Sequence, residues 1–394
     1  MRPKLGYVEG MRGVAALIVC LSHFGVIFLP NTTSLDAKNW GVGEHAIEMS
    51  VANILINGHF AVCLFFVLSG YVLSQGFMVD GDPARIWKAA AKRYPRLMLP
   101  ALASVLFAWA ALKTGSSHFA AVIPLTGRHI DGSDTTTISF GSAVIQGAYG
   151  VFFSGEFSLN GILWTIRTEF YGSFLVFGLL LAFGRSSWRW AGYGAAIVLL
   201  YSTYYMAFPI GVAIAALTAR ERPGGAPLLA LAIAGIGLIL ASYPNYSARE
   251  GIWIVPLVVF GEDARLISRI LGAACLLLAA TLSPAARSID HPISRFLGRI
   301  SYSVYLIHYT ILSSLTCGLV LWLAPVMGYL PAIGAAFAIT MPAVVLAAYA
   351  FTRLIDEPAT RLADRFALRL MGLRPVPSRI TGAVLRLQRV AAPE

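Results

Sequence analysis

Charged side chains are scarce in this chain: Asp, Glu, Lys and Arg make up 12% of its 394 residues. Soluble globular proteins carry about 25%, because water-facing surface needs polar cover. Hydrophobic residues reach 57% and the mean hydropathy is +0.72. Several apolar runs attain the ~20 residues that a helix needs to cross a bilayer. The composition therefore excludes an ordinary soluble domain and predicts an all-α, polytopic membrane protein.

Cysteine is also rare, and its placement excludes two further classes. Cys20, Cys63, Cys275 and Cys317 each fall in a different apolar run. No pair has the spacing of a metal site or of a disulfide framework. We interpret all four as small buried hydrophobic residues, and we predict no metal site.

Hydropathy predicts about ten spanning helices. Eleven is the alternative, because residues 252–260 form either a further span or a re-entrant or interfacial piece. The ten predicted spans are 11–30, 54–78, 96–113, 159–183, 188–204, 206–219, 226–242, 265–283, 299–323 and 331–355.

Acidic residues number only 19 against 30 Lys and Arg, which gives a net charge of +11. With the N-terminus in the cytoplasm, 23 of the 30 basic residues fall in predicted inside segments. This bias favours two cytoplasmic termini, and it assigns the positive charge to anionic lipid headgroups rather than to nucleic acid. We expect a membrane domain over 1–365 and a basic cytoplasmic tail over 366–394 that could form an interfacial amphipathic helix.

The first apolar run follows a basic N-terminus, as in a secretory signal peptide. No small-residue cleavage site follows it, and the run contains Arg12 and His23, so we predict a retained helix. Eleven positions separate these two residues, which places them within about 20° on one helical face and roughly 16 Å apart along the axis. Arg12 suits a phosphate-bearing ligand and His23 a general base. A topological anchor beside an interior histidine is the alternative.

Two more charges, Arg167 and Glu169, lie near the middle of the fourth span. Two positions apart on a helix, they point about 160° away from each other. Because buried unpaired charges are costly, we expect each to have a partner on another helix and a functional role. Trp164 precedes them in the same motif.

The second span contains Ser69, Gly70 and Tyr71 in an otherwise apolar helix. Ligand contact is one interpretation. Plain helix packing through the small residues is the other, and from these residues alone it is the better one.

A stripe of tyrosines marks the ninth span, where Tyr302, Tyr305 and Tyr309 recur on one face and His308 adjoins them. Such a stripe suits a ligand channel. An aromatic belt at the membrane surface is the alternative. Farther on, we expect Pro358 to end the tenth span and Glu357 to pair with an inside arginine.

Taken together and in this order, these segments resemble the acyltransferase 3 family of bacterial membrane acyltransferases. The likeness covers Gly6 to about Arg361. It is carried by five motifs: Glu9-Gly-Met-Arg-Gly-Val-Ala-Ala-Leu17 with His23, Phe65-Phe-Val-Leu-Ser-Gly-Tyr71, Leu163-Trp-Thr-Ile-x-x-Glu169, Ile300-Ser-Tyr-Ser-Val-Tyr-Leu-Ile-His308 and Glu357-Pro358.

The resemblance implies transfer of an acyl group, commonly acetyl, from cytoplasmic acyl-CoA to a cell-surface or lipid-linked glycan. It implies a bacterial inner-membrane location and no permanently bound cofactor. Many members have two acidic residues and a Gln after the tryptophan motif, whereas here Arg167 precedes a single Glu169. The predicted catalytic residues are Arg12, His23 and Glu169. The predicted binding residues are Ser69, Gly70, Tyr71, Arg93, Trp164, Arg167, Tyr302, Tyr305 and His308.

In the implied mechanism, the CoA phosphates dock near Arg12 and the basic segment 88–96, and His23 takes the proton from the sugar hydroxyl. An acyl-enzyme intermediate is equally compatible with the sequence. A lipid-linked glycan flippase or small-molecule transporter is the rival function, since it too would use charges within the membrane.

The topology is the first testable prediction. Single cysteines at Asp82 and Glu394, in a background without the four native cysteines, should react with an impermeant maleimide only after the cytoplasmic side is exposed. The positive-inside bias is the reason. Labelling of either position in sealed cells would contradict two cytoplasmic termini.

Overall fold

A computed structural model describes residues 6–29, 46–126, 137–219, 226–244, 251–283 and 291–372. Every regular element in these ranges is helical and none of these residues forms a strand, which confirms the all-α prediction. The α-helices are α1 Gly6–Phe28, α2 Gly58–Asp80, α3 Pro83–Lys113, α4 Phe119–Thr126, α5 Phe140–Ile145, α6 Trp164–Phe183, α7 Arg189–Leu199, α8 Ala207–Thr218, α9 Pro227–Ala241, α10 Ile254–Phe260, α11 Ala264–Leu282, α12 Pro292–Ile311, α13 Cys317–Met327, α14 Tyr329–Phe351 and α15 Glu357–Leu370.

Seven helical runs in the described residues are long and apolar enough to cross a membrane, so the chain is a multi-pass membrane protein. The other three predicted spans correspond to α7, α8 and α9, which have 11, 12 and 15 residues. These are shorter than the ~20 residues of a full crossing. The predicted count of ten and the side on which each terminus lies remain predictions. The seven runs are Gly6–Phe28, Gly58–Asp80, Pro83–Lys113, Gly161–Phe183, Ile254–Leu282, Pro292–Met327 and Tyr329–Leu370.

Local sequence fixes the turn between α2 and α3. α2 ends at Gly81, whose φ of 64° is a left-handed conformation that glycine adopts without strain. Asp82 then caps α3 by accepting a hydrogen bond from the amide of Ala84 at 2.9 Å, and Pro83 occupies the first turn of the helix. Proline suits that position because the first-turn amides need no helical acceptor. The basic start of α3 is thereby held close to the end of α2.

The expectation that Pro358 ends the tenth span is wrong. A π-helical turn, Thr352–Asp356, follows α14, and α15 continues from Glu357 to Leu370. Pro358 lies in the first turn of α15, where its missing N–H costs little. α15 also runs across position 365, at which we place the start of the tail. That boundary stays a prediction, and residues 373–394 lie outside the described residues.

The core of the bundle is built on close helix contacts. α1 packs against α12 and α2, and α15 packs against the basic start of α3. Gly298 of α12 lies so near α1 that a Cβ there would stand 2.4 Å from the carbonyl oxygen of Glu9. These contacts bring the first helix, which carries Arg12 and His23, against the tyrosine stripe of α12.

A second close contact joins α2 to α8. A Cβ added to Gly70 would lie 2.2 Å from the carbonyl oxygen of Phe208, and one on Gly211 would lie 2.2 Å from that of Val67. Real Cβ atoms do not approach backbone that closely, so both positions require glycine. The packing interpretation of Gly70 is thereby confirmed, whereas its ligand-binding role remains a prediction.

This contact predicts that Gly70→Ala lowers the free energy of unfolding by about 1–3 kcal/mol, the usual cost of overpacking. Thermal unfolding of the purified protein in detergent measures the change. Gly178→Ala is the matched control, because Gly178 lies within α6 and a Cβ there meets nothing within 4 Å. An unchanged melting temperature in Gly70→Ala would refute the close contact.

Candidate active site

A cavity of about 320 Å³ opens among α1, α2, α3, α6, α12 and α15. Four of its lining residues are cationic and one is anionic. We call this end of the bundle the basic end. The polar lining residues are Arg12, Ser69, Lys92, Arg93, Arg96, Thr165, Glu169, Tyr302, Tyr305 and Thr360.

Glu169 is the acidic centre of the cavity. Its carboxylate accepts a hydrogen bond from the Ser69 hydroxyl at 2.6 Å. It also forms an ion pair with Arg93 of α3. Arg93 also donates to the Ser173 hydroxyl at 2.5 Å. The side chains of Arg93 and Glu169 are 14% and 20% exposed, so the pair is largely desolvated. The predicted partner for Glu169 on another helix is therefore confirmed.

Two further cations of the cavity are also paired. Arg96 contacts Asp356 and lies over the ring of Tyr302, with 5.4 Å between its guanidinium carbon and the ring centroid. Lys92 lies 3.1 Å from Asp364 of α15. Each acidic partner comes from the segment after α14, which therefore holds the basic start of α3 in place.

Arg12 differs from the other three cations. Within the described residues its guanidinium makes no hydrogen bond and no ion pair, and yet its side chain is half-buried and lines the cavity. A guanidinium offers five N–H donors in a planar fork that matches phosphate and carboxylate oxygens. The cavity thus presents a positive group that is available to an anion.

Tyr305 lines the cavity on the side toward His308. Its hydroxyl lies 2.5 Å from the Thr165 hydroxyl and donates to the carbonyl oxygen of Ile162 at 2.7 Å. The ring of Phe65 lies 6.1 Å away, edge to face. The rings of Tyr305 and Phe65 therefore form one wall of the cavity, which we call the tyrosine wall.

His308 and His23 lie behind that wall, and neither lines the cavity. The ring centroids of Tyr305 and His308 are 6.1 Å apart, and those of His308 and His23 are 5.0 Å apart. Nε2 of His308 is 3.0 Å from Nδ1 of His23. The predicted base thus belongs to a pair of histidines, separated from Arg12 by the tyrosine wall.

Four further predicted binding residues, besides His308, lie away from the cavity lining. The Tyr71 hydroxyl is 3.0 Å from that of Tyr7, and Gly70 packs on α8. The ring of Trp164 lies 5.0 Å from that of Tyr204. The guanidinium carbon of Arg167 lies 5.9 Å from the ring centroid of Tyr171 on its own helix. Among the described residues Arg167 makes no hydrogen bond or ion pair with another helix, so its expected partner is not found there. Their binding roles stay predictions.

Sequence reasoning missed Thr165 and Thr360 as lining residues, and it gave Lys92 and Arg96 no individual role. Thr165 precedes Glu169 by four positions, so the helical repeat places both on one face and would have identified it. Thr360 offered no such signal, because its place depends on how α15 packs against α3.

Metal ligands do not cluster in the described part of the chain: no three His, Cys, Asp or Glu side chains there could hold an ion together. All four cysteines are free thiols, and Cys20, Cys63 and Cys317 are buried. Their interpretation as small hydrophobic residues agrees with this packing.

The fold and the site define a multi-pass helical membrane protein with a cationic cavity near the paired side chains of His23 and His308. The sequence profile of the acyltransferase domain of the acyltransferase 3 family matches residues 5–349. The chain belongs to this family and is an acyltransferase.

Two curated relatives are similar along almost the whole chain. Acyltransferase R4 of Phoma sp. is 22% identical, with 91% of this chain and 95% of the relative covered. Acyltransferase clz18 of Cochliobolus lunatus is 23% identical, with 92% and 96% covered. No solved structure matches the chain.

The ion pair between Arg93 and Glu169 in the cavity predicts strong energetic coupling. Arg93→Ala or Glu169→Ala alone should each lower the free energy of unfolding by on the order of 3 kcal/mol, because each leaves a desolvated charge unpaired. The double variant should lose less than the sum, with a coupling energy of about 1–3 kcal/mol.

Thermal unfolding of the four proteins measures the cycle. The control is Arg353 with Glu357, 3.7 Å apart with side chains 52% and 28% exposed, where coupling should be about 0.3–0.5 kcal/mol. Additive effects at Arg93 and Glu169 would contradict the pairing.

Proposed function

We propose that this protein transfers an acyl group, most simply acetyl, from acyl-CoA to a hydroxyl of a cell-surface or lipid-linked glycan. The observation that carries the proposal is the Arg12 guanidinium, which faces a cationic cavity and has no anionic partner among the described residues. Family membership supports the acyl transfer. Acetyl as the group, CoA as the carrier and a glycan as the acceptor are parts of the proposal.

The donor would enter at the basic end, which faces the cytoplasm in the proposed topology. Its phosphates would contact Arg12 at the cavity mouth. A volume of about 320 Å³ is at the low end for a small-molecule site. It suits the narrow arm of the donor, with the nucleotide outside near Lys92 and Arg96. Ser69 would face the arm, oriented by its hydrogen bond to Glu169.

The thioester must pass the tyrosine wall to reach His23. Transfer therefore requires the Tyr305 ring to move aside when the acyl end enters. His23 then takes the proton from the acceptor hydroxyl as its oxygen attacks the thioester carbonyl carbon. The C–S bond breaks, an ester forms, and the departing thiolate takes the proton back from His23.

The acceptor would approach His23 from the side away from the basic end. We place the protein in the cytoplasmic membrane of a bacterium as part of this proposal, although the two relatives are fungal. A flippase or transporter would also use buried charges, but it would leave no ester on the glycan.

Mass spectrometry of surface and lipid-linked glycans from cells with and without the gene tests the proposed function. The expected result is an O-acyl mass that disappears with the gene and returns with wild-type protein but not with His23→Ala. Loss of a general base costs about 10²–10⁴-fold in rate. An ester present to the same extent in cells lacking the gene would contradict acyl transfer to these glycans.

Arg12 gives a prediction for donor binding. Arg12→Ala should weaken acetyl-CoA binding by about 10–100-fold, the range for a hydrogen bond to a charged group. The affinity of Arg12→Lys for acetyl-CoA should lie between those of wild type and Arg12→Ala, because lysine keeps the charge and lacks the planar guanidinium. Calorimetry on the protein in nanodiscs at fixed ionic strength measures both.

The matched control is Arg85→Ala. Arg85 is also at the basic end, but its side chain is 60% exposed, pairs with Asp80 and lies outside the cavity lining. The affinity of Arg85→Ala for acetyl-CoA should equal that of wild type. Equal affinities in Arg12→Ala and wild type would remove Arg12 from the donor site.

A further inference from the structure

Three ring side chains meet outside the cavity, on the side away from the basic end. His59 is the second residue of α2 and precedes Ser69 of the cavity lining by ten positions, which is about 15 Å along the helix axis. Nδ1 of His59 lies 2.9 Å from the Tyr204 hydroxyl, and the ring of Trp164 lies 5.0 Å from that of Tyr204. None of the three lines the cavity. We call His59, Trp164 and Tyr204 the ring cluster.

The ring cluster lies next to the proposed base. A Cβ added to Gly58 would stand 2.7 Å from Oγ of Ser22, so the start of α2 touches α1 beside His23. His59 and His23 directly follow these two contact residues in the chain, and their imidazoles interact electrostatically. In the proposed reaction an acceptor hydroxyl must reach His23. A substrate that binds on the ring cluster is therefore held close to the base.

The ring cluster also has the chemistry of a sugar site. His59 is exposed, and Trp164 and Tyr204 are half-buried. Among the described residues, Nε2 of His59 and the indole N–H of Trp164 make no hydrogen bond. A sugar ring carries C–H bonds on its faces and hydroxyl groups at its rim. It therefore complements aromatic faces that adjoin a few polar groups.

We infer that the ring cluster binds the sugar of the acceptor, with the Trp164 ring against a sugar face and Nε2 of His59 at a hydroxyl. Tyr204 joins the two, because its hydroxyl contacts His59 and its ring contacts that of Trp164. Donor and acceptor then approach His23 from different sides. The inference rests on the proposed function, since it assigns the acceptor side of that reaction.

An aromatic belt at the membrane surface is the competing explanation for Trp164 and Tyr204. A belt residue contributes to insertion and stability, and its replacement leaves the KM for a glycan unchanged. Trp322 of α13 has this character, because it is 72% exposed and lies outside the ring cluster. Trp322→Leu is therefore the matched control.

Kinetics on the purified protein in nanodiscs separate the two explanations. The probe is the glycan fraction extracted from cells that lack the gene, with acetyl-CoA labelled in its acetyl group. Trp164→Leu and His59→Ala should each raise the KM for this fraction about tenfold and leave the affinity for acetyl-CoA unchanged. Trp164→Phe keeps a ring and should stay within about threefold of wild type. The KM of Trp322→Leu for the fraction should equal that of wild type.

Thermal unfolding identifies the variants that fold. An unchanged glycan KM in either Trp164→Leu or His59→Ala, when folded, would overturn the inference. If Trp164→Leu does not fold, His59→Ala decides, because its position is exposed and truncation there leaves no cavity in the core.

Saturation-transfer NMR with the same glycan fraction detects sugar binding without the donor. Wild type and Trp164→Phe should transfer saturation to sugar C–H protons, and Trp164→Leu should transfer less. If the proposed function fails, wild type transfers no label to the fraction. Sugar binding that depends on Trp164 would then keep the sugar site and overturn acyl transfer to it. Absence of both sugar binding and label transfer would overturn both.

Discussion

A charge at the centre of a membrane helix costs about 2.5–3.5 kcal/mol, and the cost rises where neither water nor a partner can reach it. This constraint organises the basic end of the molecule. Arg93 is paired with Glu169, Arg96 with Asp356 and Lys92 with Asp364. The pairs link α3 to α6 and to the segment after α14, so they also define the walls of the cavity.

Arg12 stands out against this pattern of pairing. It lies in the same cavity, and no described residue compensates its charge. Three neighbouring cations are paired, and the fourth faces the cavity, which is why we propose that it binds an anion from outside the protein. The phosphates of a CoA thioester meet that requirement, and family membership supplies the acyl chemistry. In the proposed function, the donor phosphates compensate the charge of Arg12, which has no anionic partner among the described residues.

Much of this arrangement could be predicted from the sequence, because local rules govern it. Low charge and long apolar runs predicted an all-helical membrane protein. The helical repeat predicted that Arg167 and Glu169 lie on opposite faces of their helix. Of these two residues, only Glu169 lines the cavity. Glu357 pairs with Arg299, with 2.8 Å between its Oε1 and the arginine Nε, as expected of a structural carboxylate.

What the sequence could not supply depends on contacts between distant helices. The pairing of His23 with His308 requires α1 to lie against α12, and no pattern within either helix encodes that distance. The tyrosine wall likewise depends on Thr165 and Phe65 meeting Tyr305 from two other helices. The prediction that Pro358 ends the tenth span was wrong because a π-helical turn, Thr352–Asp356, precedes it and the helix continues. The span predicted over 188–204 is longer than α7, Arg189–Leu199, because the partly apolar residues after Leu199 were counted with it.

The most direct test is an experimental structure of the protein in a nanodisc with acetyl-CoA bound. Phosphate density within hydrogen-bonding distance of Arg12, with the pantetheine arm in the cavity and Tyr305 displaced toward an opening at His23, is the predicted result. Coenzyme A bound elsewhere, or Arg12 ion-paired to a protein carboxylate in that structure, would contradict the account.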